Sequence, residues 1–272
     1  LELCSYFDES EVLIIAGASP TAFFHDKGYY DEENKRYMVD LEGKILVFLD
    51  QPHFQLLEKL RPLLSHDKKE LAYKITDKSK GGSLRTKNVI VRGYPSVVFC
   101  TVKLDPDEQE KTRLFLLSPE VDEGKLKQTI NLLGKRHGDR DLYDGMIRKN
   151  IRLTLLKQRI FKIRSTKIKN IIIPDVDNVV ERFCKDRRLR PRDQRDFPRI
   201  MSLIKAHALL NCFKREPNGQ YGIKANDVDI DAGFQLYEQI SEANELGLPP
   251  IALDIYNKVF LPIFTGSGLT RQ

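Results

Sequence analysis

Three stretches of the chain are almost continuously apolar and close on a small or polar residue: residues 11–17 (EVLIIAG), 44–53 (KILVFLDQPH) and 96–101 (SVVFCT). Runs of this length without alternation predict strands buried on both faces of a parallel sheet. The middle run delivers a carboxylate, Asp50, to its carboxyl end. After it, Pro52 is placed for the first turn of a helix. Phe54, Leu56, Leu57, Leu60, Leu63 and Leu64 then recur at a spacing that gives that helix one apolar face. Residues 71–76 (LAYKIT) and 86–91 (TKNVIV) instead alternate, with DKSKGGSLR between them, which predicts a β-hairpin with a Gly81-Gly82 tip. Ser19-Pro20-Thr21 reads as a helix start, residues 36–40 as a short approach to the central strand, and residues 114–117 as a further strand.

From Asp122 onward the pattern is helical. It runs through KLKQTINLLGK and the basic stretch of residues 140–169, a brief extended link at 171–174, a helix at 176–183, and an amphipathic helix at 196–215 (DFPRIMSLIKAHALLNCFKR). Two more helical stretches lie near 234–243 and 251–260. This shift predicts an α/β part over residues 1–120 and an all-helical part over 121–272.

Charge and cysteine usage narrow the class. The net charge of +6 permits a polyanionic partner without requiring one. No apolar run is long enough to cross a bilayer. The opening LELCSYFDES has neither the basic start nor the apolar length of a signal peptide. The four cysteines, at 4, 100, 184 and 212, have no zinc or disulfide spacing, which predicts a reducing, cytoplasmic setting. His53, His66, His137 and His207 show no metal-ligand spacing, and His207 reads as a packing residue. Residues 140–169 read as a solvated helical face, with DNA contact as the alternative.

The order strand, acid-tipped strand, helix, basic hairpin, polar-tipped strand, then Arg113 before another strand resembles the core of an AAA+ ATPase. The hairpin resembles the pre-sensor-1 hairpin of minichromosome-maintenance-type helicases. RDFPRIMSLIKAHALLN resembles their lid helix, and the chain as a whole is similar to ATPases encoded near mobile elements. The resemblance implies a parallel-sheet core with an inserted β-hairpin, followed by a helical lid. It implies ATP and Mg²⁺ as cofactors and Asp50 as the Walker B acid that holds the water shell of Mg²⁺. Thr101 becomes the sensor-1 group, Arg113 an arginine finger acting on a neighbouring subunit, and Arg195 the sensor-2 arginine, with Arg192 and Arg199 as competitors. Each has a plainer alternative: Asp50 as a helix N-cap, Thr101 as a strand end, the arginines as surface residues.

Two departures from the family pattern bear on activity. No GxxxxGK[ST] loop occurs in the sequence. The chain opens on Leu1 in a helix-like stretch, so that loop is expected just ahead of it. Gln51 stands where the family has a catalytic Glu, and an amide can orient water without taking its proton. Slow turnover, another base such as nearby His53, or an introduced Glu-to-Gln change would each account for it. The expected function is an ATP-driven DNA helicase or translocase that forms a ring, a hexamer as the resemblance implies. Lys78, Lys80, Arg85 and Lys87 of the hairpin would contact DNA. The alternative is a weakly hydrolysing ATP-dependent switch or loader.

Overall fold

The computed structural model describes residues 2–19, 21, 23, 28–77, 85–101, 114–115, 117, 122–185, 188–246 and 255–266. The chain is mixed α/β and divides into two compact units, Leu1–Lys103 and Leu104–Gln272. Among the described residues no helix is long and apolar enough to cross a membrane. The expected helix start at 19–24 falls largely outside the described residues.

In the first unit a short 3-10 helix, Glu2–Tyr6, precedes strand β1, Val12–Ile15. β2 (Tyr29–Asp31), β3 (Arg36–Asp40) and β4 (Ile45–Phe48) follow, then helix α1 (Phe54–Leu64). β5 (Glu70–Asp77), β6 (Arg85–Arg92) and β7 (Ser96–Phe99) complete the unit. The three apolar runs form one parallel sheet, β1-β4-β7, with β4 in the middle. Burial on both faces holds only for the central strand. Val47 is buried, whereas Ile14 and Val98, level with it on the flanking strands, are more than half exposed.

The hairpin is not a free-standing insertion. β5 and β6 pair antiparallel from Glu70↔Arg92 to Asp77↔Arg85, and β6 also pairs in parallel with β3, which pairs with β2. Residues 36–40 are therefore an interior strand of a second, four-stranded sheet, β2-β3-β6-β5, rather than an approach to the first. At the end of the β3–β6 ladder Arg92 grips Asp40 at 2.6 and 3.0 Å. That bond holds the Asp40 carboxyl below the usual carboxylate range. Gly93 follows with φ +100°, and a Cβ there would lie 2.2 Å from the Glu42 nitrogen, so the crossing admits only glycine.

Helix α1 joins the two sheets. Leu56, Leu60 and Leu63 are fully buried in one cluster with Leu46 and Phe48 of β4 and with Val39, Val89 and Val91 of the second sheet. Each leucine contributes on the order of 2 to 3 kcal/mol by burial. Tyr73 of β5 donates its hydroxyl hydrogen to the Lys59 carbonyl at 2.8 Å, tying the hairpin to the helix. Pro52 lies one residue before the cap rather than in the first turn; His53 is the N-cap.

In the second unit Leu114, Phe115 and Leu117, expected in a strand, have no strand conformation. Helices α2 (Glu123–Gly138), α3 (Arg140–Arg148) and α4 (Ile151–Ser165) follow. Asp122, Asp139 and Asn150 cap them with side-chain acceptors, which is why one long helical pattern breaks into three. Next come β8 (Asn170–Ile172), α5 (Val176–Cys184), α6 (Asp193–Leu210), a 3-10 turn at Cys212–Lys214, β9 (Gly222–Lys224) and α7 (Asp227–Leu246). A π-helical segment, Tyr256–Phe260, and α8, Leu261–Gly266, are the last described elements.

This part is not all-helical. β8 and β9 pair in parallel, Asn170↔Gly222 to Ile172↔Lys224. The residues expected as an extended link become a ladder because Ile223 and Ile173 both enter the core. Ile200, Ile204 and Ala208, one stripe of α6, are fully buried among Val179, Phe183, Phe234 and Tyr237. Gly233 of α7 lets that helix approach closely, since a Cβ there would meet the Ile204 side chain at 2.4 Å.

Candidate functional site at the carboxyl edge of the parallel sheet

β4 and β7 run in parallel in the register Phe48↔Phe99. Two residues beyond that pair, Asp50 and Thr101 stand at the ends of adjacent strands. Both are exposed. Thr101 Oγ1 donates to Oε1 of Gln51, the residue after Asp50, at 2.8 Å. That bond orients the amide. The two N–H groups of Gln51 remain as donors, and an amide offers no base.

The chain then turns directly into α1. His53 caps the helix, its Nδ1 accepting from the Gln55 backbone N–H at 3.3 Å, and its ring stacks on Phe54 with centroids 5.5 Å apart. A neutral imidazole that accepts at Nδ1 carries its proton on Nε2. His53 can therefore act as a base only by giving up the cap. Asp50 is not the cap residue, so its carboxylate is not consumed by the helix.

Among the described residues no group of three His, Cys, Asp or Glu could hold a metal ion. The edge nonetheless fits Mg²⁺, which keeps most of its water and needs only one or two carboxylates from the protein. Asp50 offers one at an exposed position.

The other expected residues fall elsewhere. Arg113, Lys78 and Lys80 lie outside the described residues, as does the hairpin tip. Arg85 lies in β6 opposite Asp77. Lys87 is half-buried and its ammonium sits 3.3 Å from the centre of the Tyr37 ring, so it packs against the sheet. Arg195 is exposed near the start of α6. Arg192 and Arg199 bond the buried carboxylate of Asp196 at 3.1 and 3.0 Å. Arg199 also donates to the Leu114 carbonyl at 2.7 Å. Burial pulls the Arg199 pKa below the usual guanidinium value, with Asp196 opposing it.

A second polar cluster was not legible as such. Asp229, fully buried at the start of α7, accepts from Arg215 Nη2 and Nε at 2.6 Å each, from His207 Nδ1 at 2.7 Å and from the Asn226 backbone N–H at 3.0 Å. Burial by itself raises its pKa, but Arg215, Asn226 and His207 together hold it below the usual value. The Asn226-x-x-Asp229 spacing, a reciprocal helix-start box, was the signal in the sequence. Its partners give it a structural role. No family model matches the chain, and no curated protein matches it.

Proposed function

We propose that the carboxyl edge of β4 and β7 binds Mg²⁺ and ATP and that the protein is a ring-forming, ATP-dependent DNA motor. The observation that supports this most is the Thr101–Gln51 hydrogen bond beside Asp50. It places a carboxylate, an amide and a hydroxyl at the carboxyl ends of neighbouring parallel strands, where open α/β sheets bind ligands. Bound Mg²⁺ would neutralise charge on the phosphate oxygens. Asp50 would hold that ion through its water shell. Thr101 keeps the Gln51 amide turned so that its N–H groups can hold a water or a phosphate oxygen. Arg113, from a neighbouring subunit, would stabilise charge on the transferred group, and Arg195 would do so from the same chain. A phosphate-cradling GxxxxGK[ST] loop belongs to this reading, and residues 1–272 contain none.

Gln51 favours a second function, an ATP-held switch or loader with little turnover, because an amide cannot take the proton of an attacking water. One variant separates the two. Gln51→Glu places a carboxylate where Thr101 already donates, and steady-state ATP hydrolysis with single-stranded DNA is expected to rise by about 10²-fold, the low end of a positioned general base. A motor with Gln51 shows DNA-stimulated turnover before the change, and a switch shows it only after. Turnover that is high in wild type and unchanged in the variant removes Gln51 from the site.

The DNA part is tested at the hairpin. Lys78→Ala with Lys80→Ala is expected to weaken sequence-independent binding and to lower the log-log salt slope by roughly 0.7 to 0.9 for each lost phosphate contact. An unchanged slope takes the hairpin out of the DNA path.

A further inference from the structure

Residues 145–174 contain nine Lys and Arg and no Asp or Glu, and without them the rest of the chain is net negative. The run includes α4, which Ile163 anchors in the core while Arg159 and Lys162 stay exposed. Against that face the end of α6 and the turn Cys212–Lys214 form an open cleft of about 430 Å³. Leu155, Arg159, Lys162, Asn211, Phe213 and Lys214 line it.

Arg159 donates to the Leu210 carbonyl at 2.6 Å and to Asn211 Oδ1 at 3.1 Å. Both acceptors are neutral, so Arg159 satisfies an orphan carbonyl at the end of α6 and keeps its full charge. The Lys162 ammonium lies 5.6 Å from the centre of the Phe213 ring. Among the described residues no ion pair joins Arg159, Lys162 or Lys214 to a carboxylate. Phe213 itself is 55% exposed, although its neighbour Cys212 is buried.

We propose that this cleft binds a single strand of nucleic acid, with one base stacked on Phe213 and the adjoining phosphates on Lys162, Lys214 and Arg159. A simple anion needs the cations but not the ring, and an apolar peptide needs the ring but not the cations. A flat exposed ring in a cleft lined by cations matches a strand's repeat of base and phosphate. The volume is that of an ordinary ligand cleft, and its open side leaves room for the strand to continue. The site depends neither on Asp50 nor on ATP, and it goes beyond the hairpin contact proposed above.

The test is fluorescence anisotropy of a labelled oligothymidylate, titrated with the full chain at several salt concentrations and without nucleotide. Phe213→Ala is expected to weaken binding about 5- to 100-fold, the worth of one stacked base, and to leave the salt slope unchanged. Lys162→Ala with Lys214→Ala is expected to lower the slope by about 1.4, or about 0.7 per phosphate contact on a single strand. A duplex of the same length should bind more weakly and be indifferent to Phe213→Ala. All three side chains are exposed, so the variants should keep the wild-type circular dichroism; Arg159 is left in place because it caps α6. Three results overturn the proposal: wild-type affinity of Phe213→Ala for the oligomer, duplex binding as tight as strand binding, or capture of phosphatidylserine vesicles through Lys162 and Lys214 without competition from the oligomer. Repeating the titration with Lys78→Ala and Lys80→Ala also present separates the cleft from the hairpin. A Phe213 effect of the same size in both backgrounds assigns the strand to the cleft, and no effect in either leaves it to the hairpin and overturns the proposal.

Discussion

Asp50→Asn is expected to reduce ATP turnover in the intact protein by about 10³-fold or more, while thermal and denaturant unfolding stay as in wild type. The substitution keeps the shape of the side chain and removes one negative charge at an exposed strand end. Asp50 does not cap α1, which His53 caps through its ring nitrogen, so the helix should not notice the change. A merely structural Asp50 at the strand end predicts the reverse: unchanged turnover. Measuring both quantities on one preparation decides between them. Normal turnover in the Asn variant would sink the Mg²⁺ assignment whatever happened to stability.

Asp229→Ala should cost about 3 to 5 kcal/mol of stability in the second unit, because it strands the Arg215 guanidinium, itself 8% exposed, without its carboxylate. The urea midpoint should fall with little change in slope. Replacing both partners by apolar residues, as in Asp229→Leu with Arg215→Met, should recover much of the loss, since the uncompensated charge goes too. Acid supplies an independent measure. Burial raises the Asp229 pKa, but Arg215, Asn226 and His207 outweigh it, so the folded value lies below the unfolded one. The stability it contributes is fully present above the unfolded value, about 3.9. It is lost as the pH falls from there through the depressed folded value. Asp229→Asn should therefore narrow its gap to wild type over that window. A gap that stayed constant from pH 7 to pH 3 would show that the carboxylate's charge is not what matters.

The residues around Asp50 were legible because an apolar run ending in an acid is a local pattern, and so was the buried stripe of α6. The second sheet was not. Val89 and Val91 announce a strand, but nothing in their spacing says that β6 will choose β3 as its parallel neighbour. β8 and β9 are three residues each, too short to show a period, and are defined only by each other. The breaks between α2, α3 and α4 were present in the sequence as Asp122, Asp139 and Asn150. They do not stand out because the surrounding residues continue a helical composition. The cleft at Phe213 had half a signal, the acid-free run of residues 145–174; the other half is an aromatic ring brought from another element.

The sequence by itself determined the elements whose side chains repeat at a fixed period, the caps that end them, and the sign of the charge on α4. Those are properties of neighbours along the chain, where period and propensity act. The tertiary structure alone decided that Thr101 would hold Gln51, that Arg215 and His207 would converge on Asp229, and that Phe213 would face Lys162. Each of these meetings joins residues on different elements. It exists only once strand register and helix packing have fixed both ends, because a hydrogen bond or ring contact requires its partners within a few ångströms and sequence spacing does not set that distance.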